Sequence, residues 1–272
     1  IRHSFDAVAE DMSLTLMRTA HSGIVRDSLD FSTSICDARG QPLAQGVCTP
    51  MQLGSFYDAM VKLIADYGDD IAPGDVFIGN DPYAAAGQHL PDIYIAMPIF
   101  ADNRIAAWAT TIAHHSDVGG IVAGSNAIGA EEIFQEGLRL PIVKFVAAGK
   151  RNQALWDVIA LNVRTPEKVM GDLQAQIAAC MSGERLADVI GTCVTGGRAN
   201  HLESALRKLG SNGCANAARR AGHQRHLSRK CNLAHASNPF TSARVAGSYR
   251  AAPVSSATMR LTIPAKIGRA HV

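Results

Sequence analysis

Ile93-Tyr94-Ile95-Ala96-Met97-Pro98-Ile99-Phe100, then Ala101-Asp102-Asn103, then Arg104-Ile105-Ala106-Ala107-Trp108-Ala109-Thr110-Thr111-Ile112-Ala113: this stretch decides the fold. Two apolar segments flank a short polar interruption, which predicts a β-hairpin. Polar, chemistry-bearing residues stand at its open end. His89-Leu90-Pro91-Asp92 leads into the first strand, and His114-His115-Ser116-Asp117 follows the second. Imidazole and carboxylate are the natural ligands of Zn²⁺, Mn²⁺ or Fe²⁺. With the turn centred near Asp102, position 92 is expected to pair with about 112, and 90 with about 114. Cross-strand neighbours lie about 5 Å apart, so His89, Asp92 and His114 can reach one divalent metal. His115 is expected on the opposite face, because side chains alternate along a strand. Asp117 is expected to orient a ligand imidazole from behind. A lone histidine here would be an ordinary strand-end residue; four His and Asp groups gathered by one hairpin argue for a site.

Working outward, Phe5, Val8, Met12 and Leu16 recur at helical spacing and predict a helix over about 5–19, with Ser4 as its N-cap. Residues 30–37 and 42–45 read as two strands about the turn Ala38-Arg39-Gly40-Gln41. A second helix is expected over about 55–67, carried by Phe56, Met60, Leu63 and Ile64. After the turn Pro73-Gly74-Asp75, Val76-Phe77-Ile78 reads as a short buried strand. Residues 131–136 predict a short helical turn ended by Gly137. Thr165-Pro166 starts a helix striped by Val169, Leu173 and Ile177 and ended by Gly183. The expectation is a mixed α/β (α+β) fold, with helices on a mixed or antiparallel sheet and a metal-bearing hairpin at one edge.

Other candidates have two readings each. Asn80-Asp81-Pro82-Tyr83 offers an amide and a carboxylate to metal or substrate, or is a plain Asp-Pro turn. Gly119-Gly120 and Gly124-Ser125 form a backbone cradle for a phosphate or carboxylate, or a surface loop; no Walker or Rossmann frame surrounds them. Glu132, Gln135, Glu136 and Arg139 form a functional cluster or a solvated helix end. Arg164 clamps an anionic substrate or pairs with an acid. The sequence therefore nominates Asp81, His115, Asp117 and Glu136 as catalytic, His89, Asp92 and His114 as metal ligands, and Asn80, Gly119, Gly120 and Arg164 as substrate-binding. No nucleophile elbow is present, so serine or cysteine catalysis has no support.

The 272 residues are 47% hydrophobic and 18% charged, which fits a globular protein. No apolar run reaches the roughly 18 residues of a membrane span. No signal peptide is visible, and a cytoplasmic protein is expected. The chain does not start with Met, so the native N-terminus is expected to lie upstream. Six cysteines occur without a CxxC pair, which suits free thiols in a reducing compartment.

Taken in order, the motifs are Arg26-Asp27-Ser28-Leu29-Asp30-Phe31-Ser32, Gln52-Leu53-Gly54-Ser55, Pro73-Gly74-Asp75-Val76-Phe77, Asn80-Asp81-Pro82-Tyr83 and His89-Leu90-Pro91-Asp92. They continue with His114-His115-Ser116-Asp117-Val118-Gly119-Gly120, the stretch from Glu132 to Pro141, Asn162-Val163-Arg164-Thr165-Pro166, and Gly171-Asp172-Leu173-Gln174-Ala175-Gln176. Over residues 4–190 this series resembles the hydantoinase B/oxoprolinase family, which includes N-methylhydantoinase, 5-oxoprolinase and the acetone and acetophenone carboxylases. The resemblance implies a B-type subunit of an ATP-dependent amide-ring hydrolase. An A-type partner would supply ATP and Mg²⁺, and a divalent metal (Zn, Mn or Fe) would act near the activated species on a small cyclic amide or ketone. The family's carboxylases hold their metal with a His-x-x-Asp motif and a later His, which by motif correspond to His89, Asp92 and His114. A carboxylase subunit and a non-catalytic structural subunit are the alternatives. The chain departs from many members at Ala85-Ala86-Gly87-Gln88, where Gly-Gly is common, and at Cys48 and Gln52, where His is common.

The resemblance fades near residue 190, where the charge also flips. Residues 1–192 carry a net −10 and residues 193–272 a net +12, which hide behind the overall +2. One reading is a basic tail for nucleic acid or an acidic partner. The favoured one is a change of reading frame, since Ile267-Gly268-Arg269-Ala270-His271-Val272 resembles a translated sequencing adapter. The expectation is a family domain over 1–191, a non-native tail without stable fold over 192–272, and neither nucleic-acid nor membrane binding.

Overall fold

The computed structural model describes residues 2–46, 49, 52, 54–83, 88–101 and 103–184. The expectation for residues 192–272 lies outside the described residues. All described residues fall in one compact unit. The elements in chain order are α1 (Arg2–Thr19), α2 (Gly23–Arg26), β1 (Phe31–Asp37), β2 (Pro42–Gln45), α3 (Ser55–Tyr67), β3 (Val76–Gly79), β4 (Asp92–Ala101), β5 (Arg104–His114), β6 (Val143–Ala147), β7 (Lys150–Arg151), α4 (Gln153–Asn162) and α5 (Pro166–Gly183). A 3-10 turn spans Ile133–Gln135.

The strands form one seven-stranded sheet in the order β2-β1-β5-β4-β3-β6-β7. Every described pairing is antiparallel. The predicted hairpin is β4–β5, and it lies at the centre of the sheet rather than at an edge, because β1 pairs with β5 and β3 with β4.

Both faces of the sheet are covered, which explains why the central strands are apolar throughout rather than alternating with exposed polar residues. On one face Ile93, Ile95, Met97 and Ile99 of β4, with Ala107, Ala109 and Ala113 of β5, pack under Phe5, Met12 and Leu16 of α1 and Val169, Leu173 and Ala179 of α5. On the other, Tyr94, Ala96, Trp108 and Ile112 meet Ala59, Met60 and Leu63 of α3, together with Phe77. Each fully buried aliphatic or aromatic side chain of this kind contributes about 1.5–3 kcal/mol.

The hairpin register differs from the expectation by two positions. Ala101 pairs with Arg104 and Phe100 with Ile105; a bulge between Ile99 and Phe100 then shifts the ladder, so Ile99 faces Ala107 and Asp92 faces His114. An extra residue in one strand is the ordinary effect of a bulge. Four elements went unread in the sequence: α2, α4, β6 and β7. Helix α4 is capped by the Asn152 side chain, which accepts from the Leu155 amide at 3.3 Å, and it buries Trp156 and Ile159. Trp156 stacks on Phe145 of β6 with ring centroids 4.5 Å apart. Ser4 lies inside α1, which begins at Arg2. No described helix is long and apolar enough to cross a membrane.

Candidate functional site

The site forms where β4 begins and β5 ends. Asp92 and His114 are directly paired. Ile93 and Ala113, their inward neighbours, face α1 and α5. Alternation therefore puts Asp92 and His114 on the α3 face of the sheet. His89 precedes β4 in a tight turn in which its carbonyl accepts the Asp92 amide at 3.1 Å. That turn folds His89 back so that Nδ1 lies 2.9 Å from Asp92 Oδ2, without the alignment of a hydrogen bond. The His89 and His114 rings lie edge to face with centroids 5.0 Å apart. Contact with Asp92 pushes the His89 pKa up, against the opposing effect of partial burial. The hairpin thus brings all three sequence-predicted metal ligands together.

A fourth residue joins them. Gln52 donates from Nε2 to Asp92 Oδ1 at 3.0 Å and is almost wholly buried. Its Oε1 and His114 Nδ1 are buried polar atoms with no hydrogen-bond partner. Such atoms are costly to leave unpaired and ask for a ligand. The sequence reading noted Gln52 only as a departure from His and missed its place here; its wide separation from the hairpin left no local signal. Among the described residues, no three His, Cys, Asp or Glu side chains close around a single point. Chemically, one carboxylate with two imidazole nitrogens fits a divalent cation such as Zn²⁺, Mn²⁺ or Fe²⁺.

The other nominated residues, Glu136 apart, turn out to be engaged within the chain. His115 sits on the opposite face, as alternation required, and is fully buried with Nε2 2.9 Å from Gln176 Oε1. Burial pushes its pKa down, while Asp172 and Gln176 oppose that effect. The ring nominated as catalytic is therefore buried on the face of the sheet opposite His89, Asp92 and His114.

Asp117 does not orient an imidazole. Its oxygens accept from the backbone of Arg164 at 2.9 Å, Gly119 at 3.0 Å and Gly124 at 3.0 Å, and from Arg164 Nη1 at 3.0 Å. Burial raises the Asp117 pKa, but these donors outweigh it and hold the carboxyl below its usual value. Arg164 in turn donates to the carbonyls of Gly119, Gly120 and Val122. Its guanidinium braces the glycine loop. Gly119 and Gly120 have φ of +91° and +80°, and a Cβ on either would stand 2.6 Å from Asn162 O or 2.5 Å from Gln135 O. The close approach these glycines permit is to the chain's own backbone, not to a substrate.

Asn80 likewise spends its amide internally. Nδ2 donates to Leu90 O at 2.7 Å and Leu138 O at 2.9 Å, and Oδ1 accepts the Leu140 amide at 2.6 Å. It ties the turn before His89 to residues 138–140. Asp81 makes a two-point pair with Arg139, Nε–Oδ1 at 2.9 Å and Nη2–Oδ2 at 3.0 Å. Glu136 is half-exposed, follows the 3-10 turn, and its carboxylate makes no ion pair or hydrogen bond among the described residues.

The comparisons with known proteins bear on the family and the fold. Residues 1–195 match the family model described as Hydantoinase B/oxoprolinase. The chain belongs to the hydantoinase B/oxoprolinase family. An uncharacterised protein of Methanocaldococcus jannaschii is 41% identical over 195 residues, covering 70% of this chain and 34% of its own. The caprolactamase subunit beta of Pseudomonas jessenii is 35% identical over 185 residues, covering 68% of this chain and 32% of its own. The crystal structure of the ATP-dependent caprolactamase of Pseudomonas jessenii superposes with a TM-score of 0.69 at 32% identity, over 76% of this chain and 35% of that one. The chain therefore spans about a third of the length of the curated relatives it matches. All family-specific motifs described above fall within the matched region.

Proposed function

We propose that this chain is part of a B-type subunit of an ATP-dependent cyclic-amide hydrolase, and that His89, Asp92 and His114 hold a divalent cation at the mouth of the β4–β5 hairpin. The observation that carries the reading is the meeting of His89 and His114 at the Asp92 carboxylate, with Gln52 Oε1 and His114 Nδ1 buried beside them without a hydrogen-bond partner. Its relatives, including a caprolactamase subunit beta, favour a ring amide as substrate. An A-type partner would supply the ATP site.

In this reading the chain's residues do the following. Asp92 supplies the negative charge that attracts a cation, and Gln52 holds one of its oxygens in place. His89 and His114 enter as neutral imidazoles, since a protonated ring cannot donate a lone pair. A bound cation would polarise a carbonyl oxygen or lower the pKa of a water. The Asp81–Arg139 pair and Asn80 tie residues 80 and 81 to 138–140, and Asn80 also holds the carbonyl of Leu90, next to His89.

The test is the metal content of the purified full chain beside His89→Ala and His114→Ala. About one equivalent in the parent, lost in both variants, is the expected result. A folded parent that takes up no Zn²⁺, Mn²⁺ or Fe²⁺ overturns the reading and leaves a structural subunit.

A further inference from the structure

We propose that Gln176 of α5 is a positioning residue that sets the Asp92–His114 pair from behind, through the backbone of Ile93 and the ring of His115. The inference rests on the reading of that pair as a metal site.

Gln176 is fully buried on the face of the sheet opposite the site. Its Nε2 donates to Ile93 O at 2.9 Å and to Thr111 Oγ1 at 3.3 Å. A backbone carbonyl only accepts, so this end of the amide is the NH₂ and the other end is the carbonyl. That carbonyl, Oε1, lies 2.9 Å from His115 Nε2. A carbonyl oxygen cannot donate, so Nε2 of His115 carries the proton. One contact with Ile93 thereby fixes the amide orientation and the imidazole tautomer together.

Ile93 follows Asp92 in β4, and His115 follows His114 just past the end of β5. Their side chains point to the α5 face, while those of Asp92 and His114 point to the other. The two segments are also tied directly, since the His115 amide donates to Pro91 O at 2.8 Å. Gln176 adds a link between them that comes from a different layer of the fold. A shift of either segment moves a proposed ligand. The contacts of outlying groups that fix ligand geometry are worth about 10- to 100-fold in metal affinity.

A glutamine that merely filled the core would affect stability alone. The two roles separate by titrating the full chain with Mn²⁺ and following the free ion by electron paramagnetic resonance, with thermal unfolding measured in metal-free buffer. The variants are Gln176→Leu, Gln176→Asn (an amide too short to span both partners) and Val169→Ala, a buried apolar truncation on the same helix. The expected result is Mn²⁺ affinity lowered about tenfold or more by both Gln176 variants, with Val169→Ala lowering Tm but leaving affinity unchanged. Folded Gln176 variants with parental affinity overturn the proposal, as does an equal loss in Val169→Ala. If Gln176→Leu does not fold, Gln176→Asn decides alone. Failure of the parent to bind Mn²⁺, or parental binding by His114→Ala, sinks the metal reading itself and shows before any Gln176 variant is compared.

Discussion

Asp92 and His114 stand directly opposite one another on adjacent antiparallel strands. Their side chains share one face of the sheet, and Gln52 reaches Asp92 from outside the hairpin. Asp92→Asn keeps the shape of the carboxylate and removes its charge. It still accepts from Gln52, so packing changes little. We expect Mn²⁺ affinity to fall by more than about tenfold, because an amide oxygen is a far weaker ligand for a divalent cation than a carboxylate. Unfolding in metal-free buffer should stay within about 1 kcal/mol of the parent. Isothermal titration beside calorimetric unfolding checks both; a large loss of stability with unchanged affinity would make Asp92 a structural residue.

Asp117 and Arg164 predict an acid-dependent contribution to stability. The folded-state pKa of Asp117 lies below its usual value, so its contribution is present above the unfolded carboxyl pKa, about 3.9, and is lost as pH falls through the folded value. The stability difference between parent and Asp117→Asn should therefore be full at neutral pH and shrink below about pH 4. Denaturant unfolding at a series of pH values measures it. A difference that grows on acidification contradicts the sign.

The hairpin was legible because its two apolar runs and its polar turn are contiguous, and the meeting of His89, Asp92 and His114 at its mouth followed from that alone. Its register was not, because nothing in the apolar runs marks the bulge at Ile99/Phe100 that shifts the ladder. The roles of Asn80, Asp117 and Arg164 were illegible for a different reason. An amide, a carboxylate and a guanidinium look the same in sequence whether they bind a ligand or satisfy buried backbone groups. Here their partners include residues far away in the chain, such as Leu140 for Asn80, 60 positions on, and Asp117 for Arg164, 47 positions back. Gln52 and Gln176 carry no charge and sit 40 and 61 positions from their partners Asp92 and His115, so no spacing rule could link them to the site.

Glycine 120 should tolerate no side chain. At φ +80° a Cβ would lie 2.5 Å from Gln135 O and 2.6 Å from the Glu136 carbonyl carbon, both backbone atoms that cannot swing aside. Gly120→Ala is expected to cost about 1–3 kcal/mol or more from strain and displacement of the 3-10 turn. Gly129→Ala is the matched control, since a Cβ there meets nothing within 4 Å, and should stay within about 0.5 kcal/mol. Equal unfolding midpoints for the two variants would refute the close packing of the loop.

Cys36 and Cys180 should be inert in the native state. Both are fully buried, and burial pushes each thiol up to about 12 despite the hydrogen bonds that Cys36 shares with Ser34 and Thr110 and the one Cys180 donates to Thr111. The thiolate is the reactive form, and at pH 8 it would make up on the order of one molecule in ten thousand. Cys36 lies among the α3-facing core residues and Cys180 among those under α1 and α5, so neither reagent access nor ionisation favours reaction. Alkylation with iodoacetamide at pH 8 followed by peptide mapping should leave both unlabelled, and labelling should appear when denaturant is added. Rapid native labelling of Cys180 would mean that α5 lifts from the sheet, which would also undo the Gln176 contacts with Ile93 and His115, since the same helix carries both side chains.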